Sequence, residues 1–360
     1  MTQPVQDVSI SAFDRWFEIT KRGSSVWREI RGGLVTFFTM AYIIVLNPII
    51  IGAIPDRDGN LINGMPIAQE GAVAASMTAV ATGTALIGGI MCILMGAWAR
   101  FPLALATGLG LNSMLAYTIA PTMTWPQANG LIVWEGILIT ILVLTGFRKA
   151  VFNAVPRDMR AAISVGIGLF VAFVGLADAG VIRQGAGTPV ELGIGGLLNG
   201  WPTGIFLIGL LLLVILHVKN VKGSILIAIL SSAVLSIIVQ AIFHIPAMKD
   251  DTGAVVNPTG WIQTVPELGH FDAPSFATMF RVDLFGAFTA GGAAWFTVIM
   301  LVFSLLLADF FDTMGTMVAV GAEGGLNDES GNPPHTQEIL LVDSLGAIAG
   351  GVGGVSSNTS

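Results

Sequence analysis

Charge is what this sequence has least of. Asp, Glu, Lys and Arg together make up 11% of its 360 residues, against about 25% in soluble domains. That is too little to wet the surface of a soluble fold of this length. Cysteine occurs once, at Cys92, which excludes an internal disulfide and a cysteine metal cluster. The thiol sits in an apolar run and reads as packing. The N-terminal 30 residues hold no apolar stretch ahead of a small-residue cleavage site, so no signal peptide is expected. His217, His244, His270 and His335 fall at span ends or in loops, without metal-ligand spacing. No cofactor, metal site, nucleophile–base pair or nucleic-acid partner is expected.

What is present is apolar. Hydrophobic types reach 54%, and there are 45 glycines, well above the roughly 7% of average usage. Small residues let membrane helices approach closely. The chain is therefore expected to be an all-α polytopic membrane protein, with the lipid bilayer as its surroundings. Crossing the bilayer takes roughly 20 mostly apolar residues. Nine spans are read near residues 33–54, 72–98, 102–120, 130–146, 161–177, 202–216, 223–243, 286–311 and 339–355.

Lys and Arg set the expected orientation. With the N-terminus inside, the internal segments hold Arg15, Lys21, Arg22, Arg28, Arg31, Arg100, Arg148, Lys149, Arg157, Arg160, Lys219 and Lys222. The external ones hold Arg57, Arg183, Lys249 and Arg281. This bias predicts a cytoplasmic N-terminus in a multi-pass protein of the cell membrane. The polar stretch 244–283 is then external, and 322–338 internal.

Two spans are interrupted. Thr107-Gly108-Leu109-Gly110-Leu111-Asn112-Ser113 breaks the third, and Gly350-Gly351-Val352-Gly353-Gly354 leads the ninth into Ser356-Ser357-Asn358-Thr359-Ser360. Irregular backbone at membrane depth is tolerated where it is buried or lines a cavity. Paired broken segments point to a transporter's midplane site. Close packing of another helix would also explain the glycines. Because the chain stops inside the second break, its reading frame is expected to continue past Ser360. Without that continuation, transport is not expected.

Asp309 and Asp312 end the apolar run 296–311. A carboxylate at the centre of a membrane helix costs about 2.5–3.5 kcal/mol on insertion scales. Asp309, Asp312, Thr313 and Thr316 fall at i, i+3, i+4 and i+7, one stripe of a helix. Such a stripe is expected to face a cavity or the bundle interior. A helix-end cap at Asp312 and a buried pairing of Asp309 would be the structural alternative, which the scarcity of basic residues in the spans weakens. Thr36 and Thr39 are expected to bond back to their own helix. Asn47-Pro48 is expected to mark a kink or a helix end.

These residues carry a resemblance. The blocks Thr36-Phe37-Phe38-Thr39-Met40-Ala41-Tyr42-Ile43-Ile44-Val45-Leu46-Asn47-Pro48, Gly108-Leu109-Gly110-Leu111-Asn112 and Asp309-Phe310-Phe311-Asp312-Thr313-Met314-Gly315-Thr316 resemble the nucleobase–cation symporter-2 family, within the xanthine/uracil permease superfamily. The similarity is to its AzgA-like adenine/guanine/hypoxanthine permeases. The resemblance implies fourteen segments in two inverted halves of seven, with short extended stretches in broken segments 3 and 10. This chain would hold segments 1–9 and the start of 10, and the family's substrate-binding glutamate would follow shortly past Ser360. Residues 1–31 would be a cytoplasmic segment, 32–146 the first part of a core domain, and 147–243 the first part of a gate domain. Residues 244–283 would be an external loop, and 284–360 the second part of the core.

The resemblance also implies a proton-coupled purine importer that dimerises through its gate domain. It would bind the base through Asp309, Asn112, Gly110 and Thr107, and couple the proton at Asp312, with Thr313 and Thr316 completing the polar stripe. Proline at Thr107, alanine at Ser113 and threonine at Val355 would be the family's usual residues, which bears on purine selectivity. The alternatives are an anion carrier on the same fold, which would want basic site residues, and a membrane-embedded enzyme, which would need an acid–base or metal set.

Overall fold

The computed structural model describes residues 12–146, 157–185, 187–221, 223–248, 255–261, 273–289, 295–329 and 331–360. Arg148, Lys149, Lys222, Lys249 and His270, and the expected boundary at 147, lie outside them. The chain runs through helices α1 (Ala12–Phe17), α2 (Val26–Met40), α3 (Ile43–Ile51) and α4 (Ala72–Leu94), then strand β1 (Ala106–Thr107) and the short α5 (Leu109–Met114). After it come α6 (Trp125–Leu144), α7 (Arg157–Asp178), the small hairpin β2 (Ile182–Arg183) and β3 (Glu191–Leu192), α8 (Trp201–Val218) and α9 (Ser224–Phe243). The chain closes with α10 (Gly286–Thr289), α11 (Trp295–Glu323), α12 (Thr336–Gly353) and β4 (Asn358–Thr359).

Among the described residues, five helical stretches are long and apolar enough to cross a membrane: Val26–Ile51, Ala72–Ala99, Trp125–Leu144, Trp201–Val218 and Trp295–Glu323. The other sequence-read spans lie on the broken β1–α5 segment, on α7, on α9 with its apolar Ile227–Phe243, and on α12. The molecule is thus a helical, multi-pass architecture. Helices α8 and α9 present Leu211, Ile208, Ile225 and Val234 outward, a surface that suits hydrocarbon and not water.

Local sequence explains the helix limits. Helix α6 starts at a capping box, with Thr124 and Gln127 exchanging side-chain-to-backbone bonds and Pro126 at the second helical position. Helix α4 widens its bonding over Met95–Ala99 and stops at Arg100, which adopts φ +53°. Asn47-Pro48 corrects an expectation: it lies inside α3, and the joint comes at Ala41–Tyr42, where α2 ends. A proline clashes with the carbonyl four residues upstream; for Pro48 that is Ile44, inside α3, and the joint at Ala41–Tyr42 lies upstream of it.

Two apolar clusters hold the bundle. One gathers Ile51, Leu115, Ile119, Trp125, Leu131, Val302 and Leu305, and the other Met91, Phe101, Leu105, Phe310, Met314 and Leu340. Between α6 and α12 the backbones nearly touch. A Cβ on Gly136 would lie 2.7 Å from the Ile348 amide nitrogen, and one on Gly351 3.0 Å from that of Val133. Only glycine permits this approach, the use of small residues the composition had suggested.

Candidate functional site

The first broken segment forms where helix-disfavouring residues meet. Pro102 lacks an amide donor, residues 101–105 are irregular, Ala106–Thr107 are extended, and α5 starts after Gly108. The second forms where α12 runs out of side chains. Gly354 turns left-handed at φ +65°, its N–H bonds Gly351 O at 3.2 Å, and Val355 N–H bonds Gly350 O at 3.0 Å. That pair of bonds is a Schellman closure. Ser356 follows, also left-handed at φ +72°, and the chain straightens into β4.

The two breaks meet. β1 and β4 pair antiparallel, Ala106 opposite Thr359 and Thr107 opposite Asn358. Gly108 N–H adds a bond to Ser357 O at 3.1 Å. Two residues from each segment thus satisfy backbone groups that no helix could.

Beside this pair lies a cavity of about 510 Å³, within the size range of small-molecule sites. One wall is residues 106–111 together with Thr359 and Ser360. A second is Ala308, Phe311, Asp312 and Thr316 of α11. Met40, Tyr42 and Ile43 of the α2–α3 joint and Gly166 of α7 complete it. The charged side chain on the wall is Asp312. The N–H groups of the first turn of α5 have no intrahelical acceptors and belong to residues at this wall.

The structure brings the sequence-derived site residues together but sorts them. Thr107 and Gly110 line the cavity, as do Asp312 and Thr316. Asp309, Thr313 and Asn112 are wholly buried. At about 100° per residue, Asp312 and Thr316 lie about 60° and 20° to one side of Asp309, and Thr313 about 40° to the other. The stripe therefore has a cavity flank and a packing flank. On the packing flank, Thr313 donates to Asp343 Oδ2 at 2.8 Å, and Thr359 donates to Asp343 Oδ1 at 3.1 Å, with the two hydroxyls 3.0 Å apart. One carboxylate of α12 thus ties α11 to the second broken segment.

Asn112 belongs to a second network. Its side-chain amide donates to Asn47 Oδ1 at 2.8 Å and Thr107 Oγ1 at 3.3 Å. Asn47 in turn donates to Thr84 Oγ1 at 2.8 Å and to Val355 O at 3.1 Å. Buried amides must find partners, and here the partners come from α3, α4 and both breaks. Thr36 and Thr39 bond back to Gly32 O and Thr36 O, as expected.

Sequence reasoning missed three residues of these networks: Asn47 as a hub, Asp343, and the buried Glu135 of α6, which accepts from Ser357 Oγ at 3.3 Å. The signal for the two acids was available. Each stands within an apolar span, where an ionisable group is expensive and therefore informative.

Comparison with known proteins fits this arrangement. A permease family model (Xan_ur_permease) matches residues 28–360. A guanine/hypoxanthine permease of Bacillus subtilis is 34% identical over 349 residues, which is 96% of this chain and 70% of that protein. A second guanine/hypoxanthine permease of the same organism is 31% identical over 350 residues, 95% of this chain and 70% of its own. An adenine permease of Escherichia coli is 29% identical over 348 residues, 96% of this chain and 67% of its own. With a helical multi-pass fold and a family match over most of its length, this chain belongs to that permease family.

Proposed function

We propose that the protein imports purine nucleobases of the adenine/guanine/hypoxanthine class as a secondary active transporter, by proton symport. The observation that carries this reading is the cavity at the meeting of two broken segments, bounded on one side by residues of both breaks and on the other by Asp312. A purine presents N–H donors beside ring nitrogens. A carboxylate accepts the former, and free backbone N–H groups serve the latter. Its flat faces suit Phe311 and Tyr42 at the cavity wall. The names of the relatives support the same substrate class. An acidic wall argues against an anion carrier.

In this structure Asp312 is the acid open to the cavity, and Asp309 is buried one turn before it on the same stripe. We assign Asp309 to the base, together with Thr107, Gly110 and Asn112, and Asp312 to the coupling proton. The reading includes a cytoplasmic N-terminus in the cell membrane, an inverted-repeat core and gate, and a homodimer through the gate domain. Proteoliposomes given labelled purine test it. Unchanged purine recovered inside, driven by an inward proton gradient, is the expected result. Chemical conversion of the base, or no uptake by the protein of the whole reading frame, refutes it.

A further inference from the structure

Glu135 is the one charged residue of α6, it is wholly buried, and it does not line the cavity. Its Oε1 accepts from Ser357 Oγ at 3.3 Å. The backbone of the same serine accepts from Gly108 N–H at 3.1 Å. Ser357 is therefore gripped twice: its side chain by α6 and its carbonyl by the first broken segment. The residue before it, Ser356, holds a left-handed backbone at φ +72°. An L-residue keeps such a conformation only where surrounding contacts over-determine it. Gly136, next to Glu135, lets α6 come close enough to α12 for the carboxylate to reach.

We propose that Glu135 is a positioning residue for the transport site, holding the second broken segment against the first through Ser357 and so setting the β1–β4 edge that walls the cavity. The role needs an oxygen acceptor at Oε1, and no substrate contact. It rests on the reading of the cavity as a transport site, so the test has an arm that needs no transport.

That arm is a cross-link in the protein encoded by the whole reading frame. With Cys92→Ser as background, Ala106→Cys and Thr359→Cys stand opposite each other in the β1–β4 pair, at a separation a disulfide spans. Mild oxidation in membranes should protect both thiols from maleimide. Glu135→Ala and Ser357→Ala should each cut that protection several-fold, and Glu135→Gln, which keeps an acceptor oxygen, should restore it. In uptake assays on the otherwise natural sequence, Glu135→Ala should raise KM about 10-fold or more, the range for a hydrogen bond to a charged group. Glu135→Gln should bring KM back to within about 3-fold of the parent and keep its pH profile. The double variant with Ser357→Ala should be no worse than the worse single one, as two ends of one contact require.

Unchanged protection in Ser357→Ala and Glu135→Ala overturns the proposal, and if Glu135→Ala fails to reach the membrane, Ser357→Ala decides alone. Glu135→Gln behaving like Glu135→Ala, or a flattened pH profile in Glu135→Gln, also overturns it, because charge or proton transfer would then be the residue's role. The expected cross-link pattern without purine uptake by the parent protein would refute the transport reading and uphold the positioning of the two segments.

Discussion

Asp309 and Asp312 are three residues apart on α11 and live in different surroundings, one fully buried and the other on the cavity wall. A single helix turn therefore separates two chemistries. On the proposed assignment, Asp309→Asn puts an NH₂ donor where an oxygen would accept from the base, and the buried mismatch is expected to cost about 1–3 kcal/mol, or roughly 5- to 150-fold in affinity. Asp312→Asn is expected to keep measurable binding and to flatten the pH dependence of uptake. Equilibrium binding and pH-dependent uptake on both variants check this. If the affinity loss falls on Asp312→Asn and spares Asp309→Asn, the wall acid is the substrate acid. The pair itself was legible in the sequence, because two carboxylates in an apolar run have few reasons to exist. Which flank of the stripe would face the cavity was not, because a spacing of i, i+3, i+4, i+7 fixes an arc and leaves its rotation to packing. Asp343 shows the same limit: its Thr313 and Thr359 partners lie 30 and 16 residues away in sequence, and no local pattern joins them.

At the scale of elements, glycine does two jobs that composition alone could not tell apart. In α5 it leaves the cavity wall without a side chain. Gly110 is on the cavity wall, so Gly110→Val puts a branched side chain there and is expected to abolish uptake with normal surface expression. Wild-type uptake in that variant would show that the glycine is only a spacer. Between α6 and α12 glycine permits contact. A Cβ at Gly136 meets the backbone nitrogen of Ile348 at 2.7 Å, and backbone has nowhere to yield. Gly136→Ala should cost about 1–3 kcal/mol, as overpacking does, and lower the melting temperature of the purified protein. Gly89→Ala, with nothing within 4 Å of the added carbon, serves as the control and should melt no lower than the parent, since alanine favours a helix interior. Equal melting of the two would remove the argument for a close α6–α12 seam. The break in the third span was legible from Gly108 and Gly110. The pairing of that break with residues more than 240 positions away came from the resemblance, since two-residue strands are too short to show alternation. The joint at Ala41–Tyr42 was not legible, because no glycine or proline stands there.

Across the whole molecule, four strands of evidence converge on one place: the joint of α2 and α3, both broken segments, and the acidic flank of α11 share one cavity. A carrier must expose such a site to each side in turn, and here the site is built from pieces that are tied by side-chain networks and not by continuous helix. Asn47 and Asn112 tie α3 and α4 to both breaks, and Asp343 ties α11 to the second. The first break, the second and α11 are thus linked as a unit. The α8–α9 pair, with its outward apolar surface, stands apart as an element that lipid can support. A unit of this kind moves its cargo with whatever charge it carries, which makes the energetics testable. One proton accompanying a neutral purine gains about 2.3 kcal/mol from a potential of 100 mV, which sustains roughly 50-fold accumulation. Vesicles with a potassium-set potential, negative inside, should approach that ratio, lose it on adding a protonophore, and keep it when sodium is absent. Uptake should fall as external pH rises, since the co-substrate is then scarcer. Accumulation that survives the protonophore but requires sodium would replace the coupling ion while leaving the cavity and its substrate in place. Equilibration at a ratio of one under every gradient would mean a facilitator, and Asp312 would then need another explanation.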